Sequence, residues 1–312
     1  MHRATPKKVF PLKMQTCLLV VTVLILSIVL WVQTAAIVFP WQEKPLRVWM
    51  LDIGQGDAFF IEFPTGEQML IDGGPDDFVL AKLGSLLLPW DRTLDAILLT
   101  HPDADHITGL VGVLDRYDVE TIYETGIRAH TPYDEAFVEL ETILSDPTSL
   151  DVVELRGTSR TILSAGDTIE IGDVTLTIVW PDDAQAGTYP EKRNNFSLNV
   201  LLEYGETTML FTGDSESLVE ESVGPRVGDI DVLKVGHHGS LTSTSWKFLQ
   251  VTDPEIALIS MGRENTYGHP HPTIIARLED MGARIFRTDL HQDVLLTSYG
   301  EEPEVHASPL PF

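Results

Sequence analysis

The chain has 312 residues, of which 43% are hydrophobic, and a formal net charge of -26. This length allows one large domain or two smaller ones. The sequence has no basic stripe. Tight non-specific binding of nucleic acid depends on Lys and Arg that neutralise phosphates, so the acidic charge argues against such binding. A local metal centre could still hydrolyse a phosphodiester. The single cysteine, Cys17, lies in the apolar N-terminal stretch, so the rest of the sequence offers neither a disulfide nor a thiolate ligand.

Residues 14–39 contain no charged side chain and are dominated by Leu, Val and Ile. The stretch exceeds the roughly 20 residues that a helix needs to span a bilayer, so we predict one transmembrane anchor. Residues 1–13 are basic and no acidic residue occurs before Glu43, which predicts a cytoplasmic N-terminus and an extracytoplasmic domain. A cleaved signal peptide is the alternative, with small residues at 34–36 as a cleavage site, although its apolar segment is usually only about 7–15 residues long.

After a linker at residues 40–46, we predict one α/β domain over residues 47–303 and a C-terminal tail at 304–312. Helical patterns occur at 76–88, 107–114, 132–144, 243–249 and 273–281. Short β-rich runs bounded by Gly and Asp predict strands at 46–53, 58–63, 68–71, 95–99 and 119–123, hairpins at 168–180 and 197–211, and strands at 230–235, 256–259, 284–286 and 293–297.

The segment 100–106 places two imidazoles and two carboxylates directly behind an apolar strand. His101 and Asp103 are two residues apart, so an extended backbone points both side chains the same way, and Asp105 and His106 follow where the chain must turn. Neutral imidazole and carboxylate are ligands of Zn²⁺, Mn²⁺ and Fe. The alternative interpretation is a polar loop whose aspartates cap the following helix.

Two further strands end in groups of the same kind. Asp214 follows the apolar run at 207–211, and His237 and His238 follow the run at 232–235. Ligand sites in α/β sheets favour the carboxyl ends of strands, so we expect the three loops to share one pocket.

These residues resemble the metallo-β-lactamase superfamily, whose signature loop reads His-x-His-x-Asp-His and whose later ligands are an Asp and a His. More narrowly, they resemble the extracytoplasmic hydrolase-like domain of the ComEC competence family. The resemblance implies an α/β fold, a four-layer αββα sandwich with a metal site at one edge. It rests on ordered motifs: LDIGQGD at 51–57, LIDGG at 70–74, HPDADH at 101–106, NNFSL at 194–198, TGD at 212–214, KVGHHGS at 234–240 and YGHP at 267–270.

Carried over by position, the resemblance implies two divalent metal ions, Zn²⁺ or Mn²⁺, as cofactors. Their ligands would be His101, Asp103, Asp105, His106, Asp214 and His238. The first two residues would bind one ion and the next two the other, with Asp214 as a bridge and His238 completing the second site. His237 is the alternative to His238, and whichever is not a ligand would support the site or orient substrate.

Two features depart from the broad superfamily and match the ComEC-like group. Asp103 stands where the superfamily has its second His, which makes the site more anionic and more favourable to Mn²⁺. No His lies between His130 and His237, so the superfamily's middle His ligand is missing. Asn195 and Ser197 lie in that region and could contribute through water.

We predict catalytic roles for Asp105 and His269. Asp105 would orient the attacking water, and His269 would donate a hydrogen bond to a phosphate or leaving group; a plain turn residue is the alternative for His269. Other motif residues would support the site or face the substrate: Asp52, Asp57, Asp72, Lys234 and Ser240. The three aspartates among them lie beside glycines, which is typical of tight turns in which Asp side chains bond backbone amides.

The leading hypothesis is a membrane-anchored, extracytoplasmic, metal-dependent hydrolase that cleaves phosphodiesters in DNA or nucleotides, as the ComEC resemblance implies. A second hypothesis is hydrolysis of a lactam, lactone or thioester, which the missing His disfavours. A third is a non-catalytic module that presents DNA or a partner to a separate channel protein, against which the intact metal loop argues. The sequence contains no multi-helix channel like that of the ComEC family, so we expect no DNA translocation by this chain alone.

Overall fold

The computed structural model describes residues 19–31, 44–145 and 157–307. Residues 19–31 form helix α1, with exposed apolar side chains, inside the predicted anchor at 14–39. The rest of that predicted anchor and the basic terminus before it lie outside the described residues. Across the three described ranges, no helix is both long enough and apolar enough to cross a membrane.

The remaining elements belong to a separate compact unit, Lys44–Phe312. Its helices are α2 (Phe78–Leu86), α3 (Ala104–Arg116), α4 (Pro132–Ser145), α5 (Ser217–Val227), α6 (Trp246–Thr252), α7 (Pro272–Asp280) and α8 (Thr288–His291). Short 3₁₀ turns occur at Arg193–Phe196 and Gly236–Gly239. The strands are β1 (Leu46–Met50), β2 (Phe59–Glu62), β3 (Gln68–Ile71), β4 (Thr93–Leu99), β5 (Asp118–Glu124), β6 (Ser159–Ile162), β7 (Thr168–Ile171), β8 (Val174–Trp180), β9 (Asn199–Tyr204), β10 (Thr207–Phe211), β11 (Val232–Lys234), β12 (Ile256–Ile259), β13 (Arg284–Arg287), β14 (Val294–Ser298) and β15 (Glu304–Ala307).

The strands form two sheets. The first, sheet A, has eight strands in the order β15-β14-β1-β2-β3-β4-β5-β6, and sheet B has seven in the order β13-β12-β11-β10-β9-β8-β7. Strands β3 to β6 are parallel, as are β10 to β13. Parallel strands end at the same edge of a sheet, so the loops after β3 and β4 leave sheet A together, and those after β10, β11 and β12 leave sheet B together.

The main hydrophobic core lies between the two sheets. Burial alternates along β1, where Leu46, Val48 and Met50 point into this core, as expected for a strand with one buried face. Side chains from both sheets meet there: the rings of Phe59 on β2 and Phe211 on β10 are 5.2 Å apart in an edge-to-face arrangement. The buried apolar faces hold the sheets together face to face.

Helices cover the outer face of each sheet. Apolar residues of α2, α3 and α4 pack in a second core on sheet A, and those of α5, α6 and α7 pack in a third core on sheet B. The order of layers is therefore helix, sheet, sheet, helix. This confirms the predicted α/β fold with two sheets and flanking helices.

Helix α3 is held against the loop that follows β3 by two glycines. A Cβ atom on Gly109 would lie 1.9 Å from the carbonyl oxygen of Gly73, so only glycine fits at this crossing. The Gly73 amide donates to the carbonyl of His106 at 2.7 Å, and the Gly109 amide donates to Gly74 at 3.1 Å. The contact sets the position of the first turn of α3 relative to sheet A.

Several elements differ from those expected. Helix α3 begins at Ala104, three residues before the predicted helix, and places Asp105 and His106 in its first turn. Strand β1 begins at residue 46 as predicted, but β15 lies inside the predicted tail, so the sheet extends past the expected boundary at residue 303. Elements β6, α5 and α8 were not predicted. The edge strand β6 is largely exposed and lacks the apolar alternation that marks a strand in a sequence, whereas β15 alternates exposed and partly buried residues over only four positions.

Candidate metal centre

The motif at residues 101–106 runs from the end of strand β4 into the first turn of helix α3. His101 lies two residues after the end of β4, and Asp103 occupies the N-cap position of α3. The Asp103 side chain makes no capping hydrogen bond, so its carboxylate is available for other partners. Asp105 and His106 lie in the first turn of the helix.

Three imidazoles are fixed through their Nδ1 atoms. His101 Nδ1 lies 3.1 Å from Thr100 Oγ1, and His238 Nδ1 lies 2.9 Å from the carbonyl of Ser260. His106 Nδ1 lies 2.8 Å from a carboxylate oxygen of Asp72. In each ring the Nε2 atom is buried and has no hydrogen-bond partner among the described residues. A free Nε2 opposite an anchored Nδ1 is the usual arrangement of a metal-binding histidine.

Asp72 holds the sheet A part of the site in place. It follows β3 with a φ of 57° and is fully buried. Its carboxylate accepts hydrogen bonds from Thr100 N at 2.8 Å and Thr100 Oγ1 at 2.7 Å, in addition to its contact with His106. Asp72 therefore orients a candidate ligand and does not itself face the centre.

Asp214 lies at the middle of the cluster with its two oxygens facing different groups. Oδ1 lies 3.4 Å from His106 Nε2 and 3.5 Å from His238 Nε2. Oδ2 lies 4.0 Å from His101 Nε2 and 3.8 Å from His237 Nε2. The amide of Asp214 donates to Ser197 Oγ at 3.2 Å, which fixes the backbone behind the carboxylate. This arrangement is that of a carboxylate able to bridge two cations.

The neighbouring histidines after β11 separate through an unusual turn. His237 and His238 both adopt left-handed conformations, with φ values of 48° and 52°. Such backbone costs about 1–3 kcal/mol per residue and is concentrated at functional sites. The turn buries His238 within the cluster, whereas the His237 side chain is 25% exposed at its rim.

One set of candidate ligands is compact. Single ligand atoms of Asp105, His106, Asp214 and His238 all lie within 4.8 Å of one another. This set could bind a metal ion and matches the second site expected from the sequence, with His238 in the final position. On the other side of Asp214, His101 and His237 face Oδ2, so a first site would include His237 as a candidate ligand.

Asp103 has a partner that the sequence did not indicate. One of its oxygens forms an ion pair with Nε of Arg193, and the other lies 3.9 Å from His101 Nε2. The carboxylate is thus shared between a guanidinium and the possible first site.

A buried ion pair connects the two sheets beneath the centre. Lys234, at the end of β11, contacts the carboxylate of Asp57, and both residues are at least 98% buried. The Lys234 ammonium also donates to the carbonyl of Gly213 at 2.6 Å and lies 3.6 Å from Asp214. Burial alone would lower the pKa of Lys234, but Asp57 and Asp214 raise it, so the lysine is charged.

Electrostatics within the cluster favour a bound cation. Burial would raise the pKa of Asp214, but His238 and His106 hold it well below its usual range. Burial lowers the pKa of His101, so this imidazole is neutral. Burial alone would lower the pKa of both His106 and His238. Asp214 nevertheless raises the pKa of His106 well above its usual value, and Asp214 and Asp57 together raise the pKa of His238 to about 10. A metal ion would replace these two protons, so metal affinity should rise with pH.

The other expected site residues surround the cluster in different ways. Asn195 has a buried Oδ1 with no partner in the described parts of the chain, and its carbonyl accepts from Trp180 Nε1. Ser240 bonds within its own turn, where its Oγ accepts from the Thr242 amide at 3.3 Å. Asp52 accepts a backbone hydrogen bond from Gly54, in line with a turn role, while burial raises its pKa.

The cluster opens into a cleft of about 210 Å³. His269 lines it, with a buried Nδ1 that has no partner among the described residues, and burial together with His237 lowers the pKa of His269. The full lining is Gln55, Asp103, Asp105, Asn194, Asp214, His237, His238, Tyr267 and His269. Sequence reasoning assigned no role to Gln55, Asn194 or Tyr267, although all three lie inside the motifs quoted above.

The fold and this cluster define the class of protein. The chain belongs to the metallo-beta-lactamase superfamily, whose family model matches residues 51–263. It therefore has the fold of the metal-dependent hydrolases of this superfamily, with a His/Asp cluster that could bind metal ions. The solved metallo-beta-lactamase fold protein YhfI from Bacillus subtilis shares this fold, with a TM-score of 0.54 over 82% of this chain and all of that one, at 13% identity.

Within the superfamily the chain resembles the ComEC-family competence proteins, as the sequence motifs indicated. It is 31% identical over 271 residues to ComE operon protein 3 of Bacillus subtilis, covering 81% of this chain and 33% of that protein. It is 28% identical over 282 residues to Recombination protein 2 of Haemophilus influenzae, covering 88% of this chain and 32% of that protein. The chain thus spans about a third of the length of these curated relatives.

Proposed function

We propose that this protein is a membrane-anchored, extracytoplasmic phosphodiesterase that uses two divalent metal ions, Zn²⁺ or Mn²⁺, to hydrolyse DNA or nucleotides. The observation that carries the proposal is Asp214, whose two oxygens face two separate groups of imidazole nitrogens. The resemblance to competence proteins supports a role in DNA uptake, for which the partner we propose is a separate channel protein.

The residues present fit a metal centre. Buried nitrogen and oxygen atoms without hydrogen-bond partners are costly unless a cation or water satisfies them, and Nε2 of His101, His106 and His238 and Oδ1 of Asp214 are such atoms among the described residues. One ion would be held by Asp105, His106, Asp214 and His238. The other would be held by Asp214 together with His101, Asp103 or His237. Bound there, divalent ions supply water activation and charge neutralisation at a phosphoryl group.

The composition of the site favours a phosphodiester over a lactam. Asp103 replaces an imidazole and pairs with Arg193, so a guanidinium lies beside a carboxylate of the cleft lining, where a phosphate oxygen could accept its hydrogen bonds. Arginine recognises phosphate through its planar donors, whereas a lactam carbonyl offers no such charge.

Two side chains in the cleft are suited to position the reacting groups. Asp105 Oδ2 lies 3.5 Å from His238 Nε2, and its side chain is 33% exposed, so it can accept a hydrogen bond from a water at the centre and orient it. His269 faces the same cleft as a neutral imidazole and can donate a hydrogen bond to the leaving oxygen.

A substrate panel with the purified full chain in detergent tests the activity. Loaded with Mn²⁺ or Zn²⁺, it should hydrolyse labelled single-stranded DNA or bis(p-nitrophenyl) phosphate. EDTA or Asp105→Ala should lower the rate by at least about 100-fold, because Asp105 would hold a metal ion and orient the attacking water. Tyr299→Ala, at an exposed tyrosine outside the cleft lining, is the matched control and should keep the rate. Turnover of lactam, lactone or thioester substrates alone would instead support the second hypothesis. Absence of bound or titratable metal would support the non-catalytic module.

Membrane anchoring rests on the 26 uncharged residues at 14–39 and is tested separately. An epitope-tagged chain should fractionate with membranes and resist extraction by carbonate. A soluble product starting near residue 37 would instead show that the segment is a cleaved signal peptide.

A further inference from the structure

We propose that Tyr267 is the stacking platform for a nucleobase, so that the substrate is a nucleotide or an unpaired DNA end. This inference rests on the proposed phosphodiesterase function and deepens it by naming the substrate group that binds outside the metal cluster. Tyr267 lines the cleft, yet its side chain is 70% exposed. A ring with so little buried area contributes little to folding, and it is available to a ligand.

The loop that carries Tyr267 is held in place. Two residues earlier, the Asn265 side chain spans the loop: its Oδ1 accepts from the amide of His269 at 3.1 Å, and its Nδ2 donates to the carbonyl of His269 at 2.9 Å. The same Nδ2 also donates to the carbonyl of Gly262 at 3.0 Å. The tyrosine is thus presented on a loop with fixed ends, which lowers the entropy lost when a ligand binds.

A run of rings connects Tyr267 to the metal cluster. The Tyr267 and His269 rings are 5.9 Å apart and inclined by only 25°, and the His269 and His237 rings are 5.7 Å apart. His237 Nε2 in turn lies 3.8 Å from Asp214. A phosphate at the cluster and a base on Tyr267 would therefore be separated by little more than His269, a span suited to one nucleotide.

The size and charge of the surroundings favour stacking over other contacts. The cleft of about 210 Å³ is smaller than the roughly 300–1,000 Å³ of a typical small-molecule pocket, so it accommodates a phosphate and sugar but leaves the base at the rim. The net charge of -26 opposes binding through many phosphate contacts. Stacking on an aromatic ring does not depend on that charge, and it requires a base that is not already stacked in a duplex.

The test compares two ligands that differ only by the base. Calorimetry on the Mn²⁺-loaded full chain measures the Kd of deoxyadenosine 5′-monophosphate and of 2-deoxyribose 5-phosphate. Tyr267→Ala should raise the Kd of the nucleotide about 5- to 150-fold, the range expected for one base stacked on an aromatic ring, and leave that of the sugar phosphate unchanged. Tyr267→Phe keeps the ring and should retain near wild-type affinity, and Tyr299→Ala should change neither Kd.

Hydrolysis of bis(p-nitrophenyl) phosphate by the same preparations separates this inference from the proposed function. If the protein binds the nucleotide more tightly than the sugar phosphate in a way that depends on Tyr267, but does not hydrolyse bis(p-nitrophenyl) phosphate, the stacking platform is supported and the phosphodiesterase function is overturned. The platform is overturned if wild type binds the nucleotide no more tightly than the sugar phosphate. It is also overturned if Tyr267→Ala binds the nucleotide as tightly as wild type does.

Discussion

Replacing Asp214 with asparagine should lower the affinity for Mn²⁺ or Zn²⁺ by more than about 100-fold, which is the upper end of the loss usually caused by removing a residue that only supports a ligand. Asp214 contributes both of its oxygens, one to the His106 and His238 side and the other to the His101 and His237 side. The amide side chain would keep the volume but lose the negative charge and one acceptor, so both candidate sites should weaken together. Isothermal titration of metal into EDTA-stripped protein measures the affinity, and elemental analysis gives the number of ions bound.

Two other carboxylates calibrate this result. Asp72→Asn should weaken metal binding by about 10- to 100-fold, because Asp72 orients His106 without facing the centre. Asp231→Asn should leave affinity unchanged, since Asp231 bonds the backbone and hydroxyl of Thr208 at the start of β10, away from the cluster. An Asp214 variant that still bound two ions with wild-type affinity would show that this carboxylate is not the bridge.

Replacing Lys234 with methionine should destabilise the metal-free protein by about 3–5 kcal/mol, the usual cost of leaving one member of a buried ion pair without its partner. Lys234 and Asp57 are both buried, so solvent contact cannot compensate for the lost charge. The loss should be seen as a lower midpoint of urea-induced unfolding with an unchanged m value.

The double variant Asp57→Asn/Lys234→Met distinguishes the ion pair from simple packing. Removing both charges should restore much of the lost stability, because no unpaired charge remains. Lys247→Met, at an exposed lysine of α6, should change stability by no more than about 0.5 kcal/mol. If the double variant were as unstable as Lys234→Met alone, the cost would come from lost packing and the electrostatic interpretation would fail.

The parts of the centre that could be predicted are those with local signals. The spacing of His101, Asp103, Asp105 and His106 after an apolar strand is visible within the segment 100–106. The start of α3 is not visible there, because the Asp103 side chain makes no capping hydrogen bond to the helix and a contact with Gly73 fixes the first turn. Short-range patterns therefore located the motif between a strand and a helix, but not the residue at which the helix begins.

Long-range partners account for most of what sequence reasoning missed. Arg193 meets Asp103 across 90 residues, and nothing near either residue indicates the pairing. The burial of His238 within the compact set depends on two left-handed residues and on the carbonyl of Ser260, which is 22 residues further along the chain. Neither backbone handedness nor a distant carbonyl is encoded in the residue types of the motif.

The candidate ligands of the cluster come from both sheets, and this has a thermodynamic consequence. His101, Asp103, Asp105 and His106 come from the end of β4 and from α3, whereas Asp214, His237 and His238 follow strands β10 and β11 of the opposite sheet. A cation bound among them acts as a cross-link between the halves of the sandwich, so loading and folding are linked equilibria. At a free metal concentration 100 times the Kd, the folded state gains about 2.7 kcal/mol, which makes the supply of free metal a determinant of how much folded protein persists.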